Sequence, residues 1–505
     1  MSPKGVDLLS LLVSQPGVLF TKDEIFDLLW PDVTVTDNAL TQVISELRFA
    51  LHDKPNAAKF IETVPRRGYR FIAKVDVLDP GPAVSPGTHV ELKAPTDQAA
   101  QLQSAIVTAL MAGLRVTITA APAQQGGSRE TPSLEAYRLS SEGRMKLETL
   151  EPGAINSAVN DFTKAIALDP AYVPAHIGLA HARFWLYQAT RARNRPDFAE
   201  LNAAIAHAER AVELDPSQAE SHAALAFFLS ITPRVEDALK HGRLAISMEP
   251  GNWRHQFQLG VAAWGSERLE CLSQVMRQYP ALTHAHFAAA MVLIARGDLV
   301  AADAILSDGL ETQAKTPSDR LPCRGLHWLR GLIAFRQGRV DDARRHFDAE
   351  LAAEGRDLFA DEFVMDAASA HGFVCLAASD AKGAASWFER ALTLLPDHAR
   401  SWIGLGEARR LLGDERGADD ARARATQAIK ELSSHGRLAE SAMARAAGFF
   451  IDHDIKDGCH ALTSLLSDAP PGLAGWTLPV EPWLTPYLDD KRVVTLLEQL
   501  AGRAR

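Results

Sequence analysis

Arg66 and Arg67 stand side by side between two short apolar runs, Phe60–Val64 and Tyr69–Val75. A guanidinium carries a fixed charge and a planar fork of N–H donors, so two of them on an exposed turn suit phosphate oxygens. Arg70 and Lys74 follow on the second run, and Arg48 precedes both. The chemistry on offer is recognition of a phosphate backbone.

The elements that must hold these groups are legible. The two runs flank Pro65-Arg66-Arg67-Gly68, which fits a β-hairpin turning at Gly68. Tyr69 and Phe71 alternate with Arg70, so they are expected to face a core. Thr21-Lys22-Asp23-Glu24 opens a helix with capping-box spacing. It runs to Trp30, read as a core anchor, and stops at Pro31. A second helix starts near Asp37 and carries Leu40, Val43, Ile44, Leu47 and Leu51 at helical spacing. Helix, turn, helix and a hairpin with an arginine tip is the order that lays a helix in a major groove and a wing on the backbone.

Residues 1–77 resemble the winged-helix domain of OmpR/PhoB-type transcription regulators, and Ile61–Phe71 (IETVPRRGYRF) is the most specific part. The variant is similar to the CadC/HilA-like branch, in which the winged helix precedes helical repeats and no receiver domain is present. The resemblance implies double-stranded DNA as partner and a sequence-specific transcription regulator. On the second helix, the face toward DNA would carry Asn38, Thr41, Gln42, Ser45 and Arg48. Arg66, Arg67 and Arg70 would form the wing contacts. Asn and Gln read adenine, and Arg reads guanine or clamps phosphate. Glu46 and Phe49 stand where the family often carries basic residues, a departure that weakens the expected affinity.

The family domain begins with a small antiparallel sheet, whereas Met1-Ser2-Pro3-Lys4 here already sit at the start of the first helix. Val6, Leu8, Leu9, Leu11, Leu12 and Val13 surround much of that helix. Without a covering sheet, part of it is expected to be exposed, favouring a homo-oligomer. The expectation is either an upstream start codon or a truncated domain.

Net charge is −10 over 505 residues, which excludes a chain-wide affinity for nucleic acid or acidic membranes. Residues 1–79 hold nine Lys/Arg and eleven Asp/Glu, a balance of −2, so DNA binding would rest on a few contacts. Cys271, Cys323, Cys375 and Cys459 lie far apart and read as buried thiols in a reducing cytoplasm. The polar N-terminus enters a helix directly, so no secretory leader is expected. Residues 102–121 approach membrane-span length, but polar side chains interrupt them and Arg115 would lie in the bilayer. A helix to Ala112 and a strand over 114–119 are expected there instead, between Pro/Gly-rich linkers at 80–87 and 122–132. His284 and His286, and His176 and His181, have no third ligand at useful spacing. HExxH, GxSxG, a P-loop and GxGxxG are absent, so no catalytic residue, cofactor or metal is expected.

From residue 133 a phrase recurs: Ala165–Pro170, Ala211–Pro216, Ala245–Pro250 and Ala391–Pro396. The second and third prolines are 34 residues apart, the tetratricopeptide period. Gly331, Ala343 and Phe347, then Gly372, Ala384 and Phe388, and then Trp402, Leu405, Gly406, Ala418 and Ala425 occupy the usual positions. The longer interval from Pro170 to Pro216 places an insertion near Thr190–Pro196. About eight helix pairs are expected, with a concave surface for a protein or peptide.

The fold class read from the sequence is mainly α: a winged helix-turn-helix domain followed by a tetratricopeptide-repeat α-solenoid. The expected divisions are 1–77 for the winged helix and 78–132 for linkers around a small helix-strand segment at 99–121. Repeats follow over 133–432, and a C-terminal cap over 433–505. The competing reading is a repeat scaffold whose winged helix no longer binds DNA.

Overall fold

A computed structural model describes two compact units, Met1–Ser141 and Glu142–Arg505. In the first 77 residues it describes positions 8–9, 11–12, 17–22, 24–25, 40, 43–44, 47–48, 53, 58–64 and 67–72. Beyond them it describes strands at 89–91 and 115–117, and residues 131–505 apart from 132, 149, 316–322 and 353–357. Leu51, Trp30 and the helix expected before Ala112 lie outside the described residues.

In the first unit, β1 (Phe20–Thr21), β2 (Ile61–Val64) and β3 (Gly68–Phe71) form an antiparallel sheet in the order β1-β3-β2. Leu8, Leu12, Phe20, Ile25, Leu40, Val43, Ile44, Leu47, Ile61, Tyr69 and Phe71 make one core. Leu8 and Leu12, four apart, are fully buried, while Leu9 and Leu11 pack half-buried beside them. A separate pair, β4 (His89–Glu91) and β5 (Arg115–Thr117), is parallel, and β5 falls within the stretch expected to be extended.

The second unit is built from helical hairpins. The helices are α1 (Leu134–Leu147), α2 (Pro152–Leu168), α3 (Val173–Arg191), α4 (Phe198–Leu214), α5 (Ala219–Leu229) and α6 (Val235–Met248). They continue as α7 (Trp253–Ala262), α8 (Gly265–Gln278), α9 (His284–Arg296), α10 (Leu299–Lys315), α11 (Leu326–Arg336) and α12 (Val340–Leu351). The series closes with α13 (Ala360–Ala377), α14 (Ala381–Leu394), α15 (Ala399–Leu411), α16 (Glu415–Ser434), α17 (Leu438–Ile451), α18 (Ile455–Asp468) and α19 (Lys491–Arg503). Successive helices pair, giving nine hairpins among the described residues before α19. Asp197, Asp380, Asp414 and Asp454 accept backbone N–H bonds at the starts of α4, α14, α16 and α18. Among the described residues, no helix is long and apolar enough to cross a membrane.

A ring between two glycines sets the pair spacing. Phe388 on α14 is fully buried. A Cβ on Gly372 of its own hairpin would lie 2.7 Å from that ring, and one on Gly404 of the next would lie 2.2 Å away. Phe162 is held the same way between Gly143 and Gly178. The small residues read from the sequence therefore make room for an aromatic ring as well as for a second helix.

A second repeated device lies six residues after three of the four repeat prolines. His176 Nε2 donates to Pro170 O at 3.1 Å, His222 Nε2 to Pro216 O at 2.9 Å, and Trp402 Nε1 to Pro396 O at 2.7 Å. With Nε2 protonated, His176 and His222 accept at Nδ1, from His207 Nδ1 at 3.2 Å and His241 Nδ1 at 2.8 Å. His327 and His346 meet likewise at 3.1 Å. Burial, with the facing His176 adding to it, holds His207 down to about 4. His346 is also held to about 4, by burial first and then by Arg330 and His327. The four cysteines are all buried free thiols, and burial pushes Cys271 up to about 11.

The array curls on itself. The insertion after Tyr187 lengthens α3 and ends in a connector that reaches the last hairpins. Arg191 pairs with Glu362 at 2.9 Å, Asn194 meets Asp397 at 3.5 Å, and Gly436 packs on Phe198. Residues 433–505 differ from the expected cap, because they include a full hairpin, α17 and α18. The Pro-rich segment after it crosses several hairpins. Gly472 lies on Trp264, Trp476 meets Phe287 edge-on, and Val480 joins the core formed by α11 and α13. Finally α19 returns to α9, where Arg296 donates to Ala504 O at 2.7 Å.

Two measurements test this packing. Gly404→Ala should lower stability by about 1–3 kcal/mol in chemical denaturation, because the Phe388 ring has no room to yield. A value within error of wild type would show that the slot is loose. His207 and His346 bind protons less readily folded than unfolded, so their stabilisation is full above about pH 6.5 and is lost as pH falls toward about 4. The difference in melting temperature between the protein and His207→Gln should therefore shrink over that window, whereas a pH-independent difference would contradict neutral pairing.

Candidate nucleic-acid interface

The hairpin is pinned by register. Ile61 faces Phe71, Glu62 faces Arg70, Thr63 faces Tyr69 and Val64 faces Gly68. Arg67 N donates to Val64 O at 3.0 Å, so the tight turn is Val64–Arg67 and closes one residue before Gly68. Gly68 belongs to β3 and also faces Thr21 of β1. A Cβ there would sit 1.9 Å from Phe20 O, so only glycine lets β1 approach the base of the wing. Directly after β1, Thr21 and Glu24 form the expected capping box. Thr21 N donates to Glu24 Oε2 at 2.8 Å and Glu24 N to Thr21 Oγ1 at 3.2 Å.

Of the sequence-derived DNA-facing residues, Arg48, Arg67 and Arg70 are described; Asn38, Thr41, Gln42, Ser45 and Arg66 lie outside the described residues. Arg67 is exposed at the turn. Arg70 is half-exposed and forms an ion pair with Glu62, its cross-strand neighbour. That pairing offsets part of the wing's charge.

Arg48 departs from the expected face. It is buried, and its Nη2 donates to Ile61 O at 2.8 Å and to Thr63 Oγ1 at 2.7 Å. Its guanidinium is a strut between the second helix and β2 rather than part of an exposed polar face. Asp53, which the sequence reading passed over, completes this support. Its carboxylate accepts from Lys59 N at 2.6 Å, Ile61 N at 2.8 Å and Phe60 N at 3.3 Å. Burial works against its ionisation, but the three N–H donors and Arg48 hold it below the usual carboxylate range. Ile61 thus has its N–H on Asp53 and its carbonyl on Arg48, which fixes the strand that leads to the wing tip.

Arg48→Ala should leave Ile61 O without its charged donor and cost about 1–3 kcal/mol locally. Amide hydrogen exchange over Ile61–Val64 should accelerate in the full chain while α11–α16 stay protected. Unchanged protection in β2 would remove Arg48 from this role.

Residues 1–71 match the family described as "Transcriptional regulatory protein, C terminal". The chain is 36% identical over 86 residues to a cholera toxin homolog transcriptional activator of Vibrio parahaemolyticus, covering 17% of this chain and 30% of that protein. It is 37% identical over 76 residues to the transcriptional activator CadC of Escherichia coli, covering 15% of each. The chain thus spans less than a third of the length of these curated relatives. A tetratricopeptide repeat protein from Parabacteroides merdae overlays on 58% of this chain and 100% of its own, at 12% identity and a TM-score of 0.36. The repeat architecture rests on the helix pairing itself. The chain carries an OmpR/PhoB-type transcriptional-regulator domain at its N-terminus, followed by a tetratricopeptide-like helical-repeat domain.

Proposed function

We propose that this chain is a sequence-specific DNA-binding transcription regulator, present in the cytoplasm, whose helical repeats bind an effector or a protein. The observation that carries the reading is the wing. Arg67 stands exposed on a hairpin whose register, glycine and buried struts leave it little freedom, and Arg66 precedes it. An exposed cation on such a turn suits phosphate contact, and the polar face at Asn38, Thr41, Gln42 and Ser45 would supply base readout. Arg48 is assigned to support and Arg70 to a neutralised flank.

A scaffold reading, with a winged helix that no longer binds DNA, draws on the Glu62–Arg70 pair and the −2 balance of residues 1–79. One experiment separates the two. Fluorescence anisotropy on mixed genomic duplexes at two salt concentrations should show binding that weakens with salt. Arg66→Ala with Arg67→Ala should weaken it similarly on all sequences and reduce the log–log salt slope by up to about two. Absent binding favours the scaffold, and an unchanged slope removes the wing from the interface. Gln42→Ala should instead alter sequence preference.

A further inference from the structure

The second hairpin meets hairpins seven to nine around a cavity of about 180 Å³. Three guanidiniums and four carboxylates gather on or just behind its wall. Arg191 pairs with Glu362 at 2.9 Å and Arg437 with Glu440 at 2.7 Å. Arg400 is divided between Asp366 at 3.3 Å and Glu481 at 3.2 Å. Glu481 also accepts from Thr477 Oγ1 at 2.7 Å, whereas Asp366 accepts from Arg400. Burial pushes Asp366 up to about 7, against Arg400 and with help from Glu362 and Glu481. The cluster is one positive charge short, and Asp366 is the carboxylate on which the shortfall falls.

The rest of the wall includes Met365, Met443 and Trp476. A cavity of about 150 Å³ accepts benzene, so this one has room for roughly six to eight heavy atoms. An anion would add to an existing excess of carboxylate, and a neutral molecule would leave Asp366 as it is. Asp366 is already largely out of water, its side chain 15% exposed, so most of the remaining desolvation falls on the incoming cation.

We infer that this cavity is a binding site for a small organic cation, whose ammonium or guanidinium group pairs with Asp366 and whose apolar body lies against Met365, Met443 and Trp476. The site deepens the effector half of the function proposed above. It draws together α3, α13, α15, α17 and the Pro-rich segment, so occupancy would tighten the contact between early and late hairpins.

Isothermal titration of the full chain with cyclohexylammonium, cyclohexanol and cyclohexanecarboxylate varies charge at nearly constant shape. The ammonium should bind at one saturable site, about tenfold or more tighter than the alcohol, and the carboxylate should not bind. Asp366→Asn should weaken the ammonium by about tenfold or more with helical circular dichroism retained. Met443→Trp fills the cavity while keeping Asp366 and should abolish binding; it decides the matter should Asp366→Asn fail to fold. No ammonium binding, equal affinity for the alcohol, or undiminished binding in a folded variant overturns the inference. DNA titration of the same preparations is a separate readout, so loss of this site and loss of the regulator reading are told apart.

Discussion

A helical hairpin cannot cover its own apolar face, and in this repeat domain the cover comes from aromatic rings in glycine slots. Phe162 and Phe388 each touch the backbone of two successive hairpins, because both flanking positions lack a Cβ. Each ring therefore ties a hairpin to its successor at a fixed distance. The imidazole or indole that donates to the repeat proline's carbonyl then sets the turn between hairpins. Farther along the array, Arg191 comes within reach of Glu362.

The Pro-rich segment from Gly472 to Leu484 gives this curled array a middle. It lends Trp476 to Phe287, Val480 to the α11–α13 core, Glu481 to Arg400 and Trp483 to Phe450. A surface expected to be open for a partner is in part lined by the chain's own residues.

What the sequence made legible was what repeats or alternates. The capping box at Thr21 and Glu24 and the inward Tyr69 and Phe71 follow from spacing; Gly372 and Phe388 follow from the repeat pattern, but Gly404, the other side of the slot, was not read. Arg48 shows where residue type misled. It lies four residues after Ile44, on the helix face that was itself read as buried, yet its chemistry drew it to the DNA side. The hairpin α17–α18 was expected as part of a C-terminal cap, and it lacks the proline phrase. It also reverses the slot, with Phe450 on the first helix and Gly458 on the second. The contacts of Arg191, Arg400 and Arg437 were not legible, since their partners are chosen by accumulated curvature across many residues.

The closing contacts also bear on how the domain folds. Neighbouring hairpins make local contacts, which form quickly and with little loss of chain entropy. The Arg191–Glu362 pair spans 171 residues and the bond from Arg437 to Arg191 O spans 246. Closure over such lengths comes after the hairpins have stacked. The contacts at this seam are therefore expected to open before the hairpins themselves unfold.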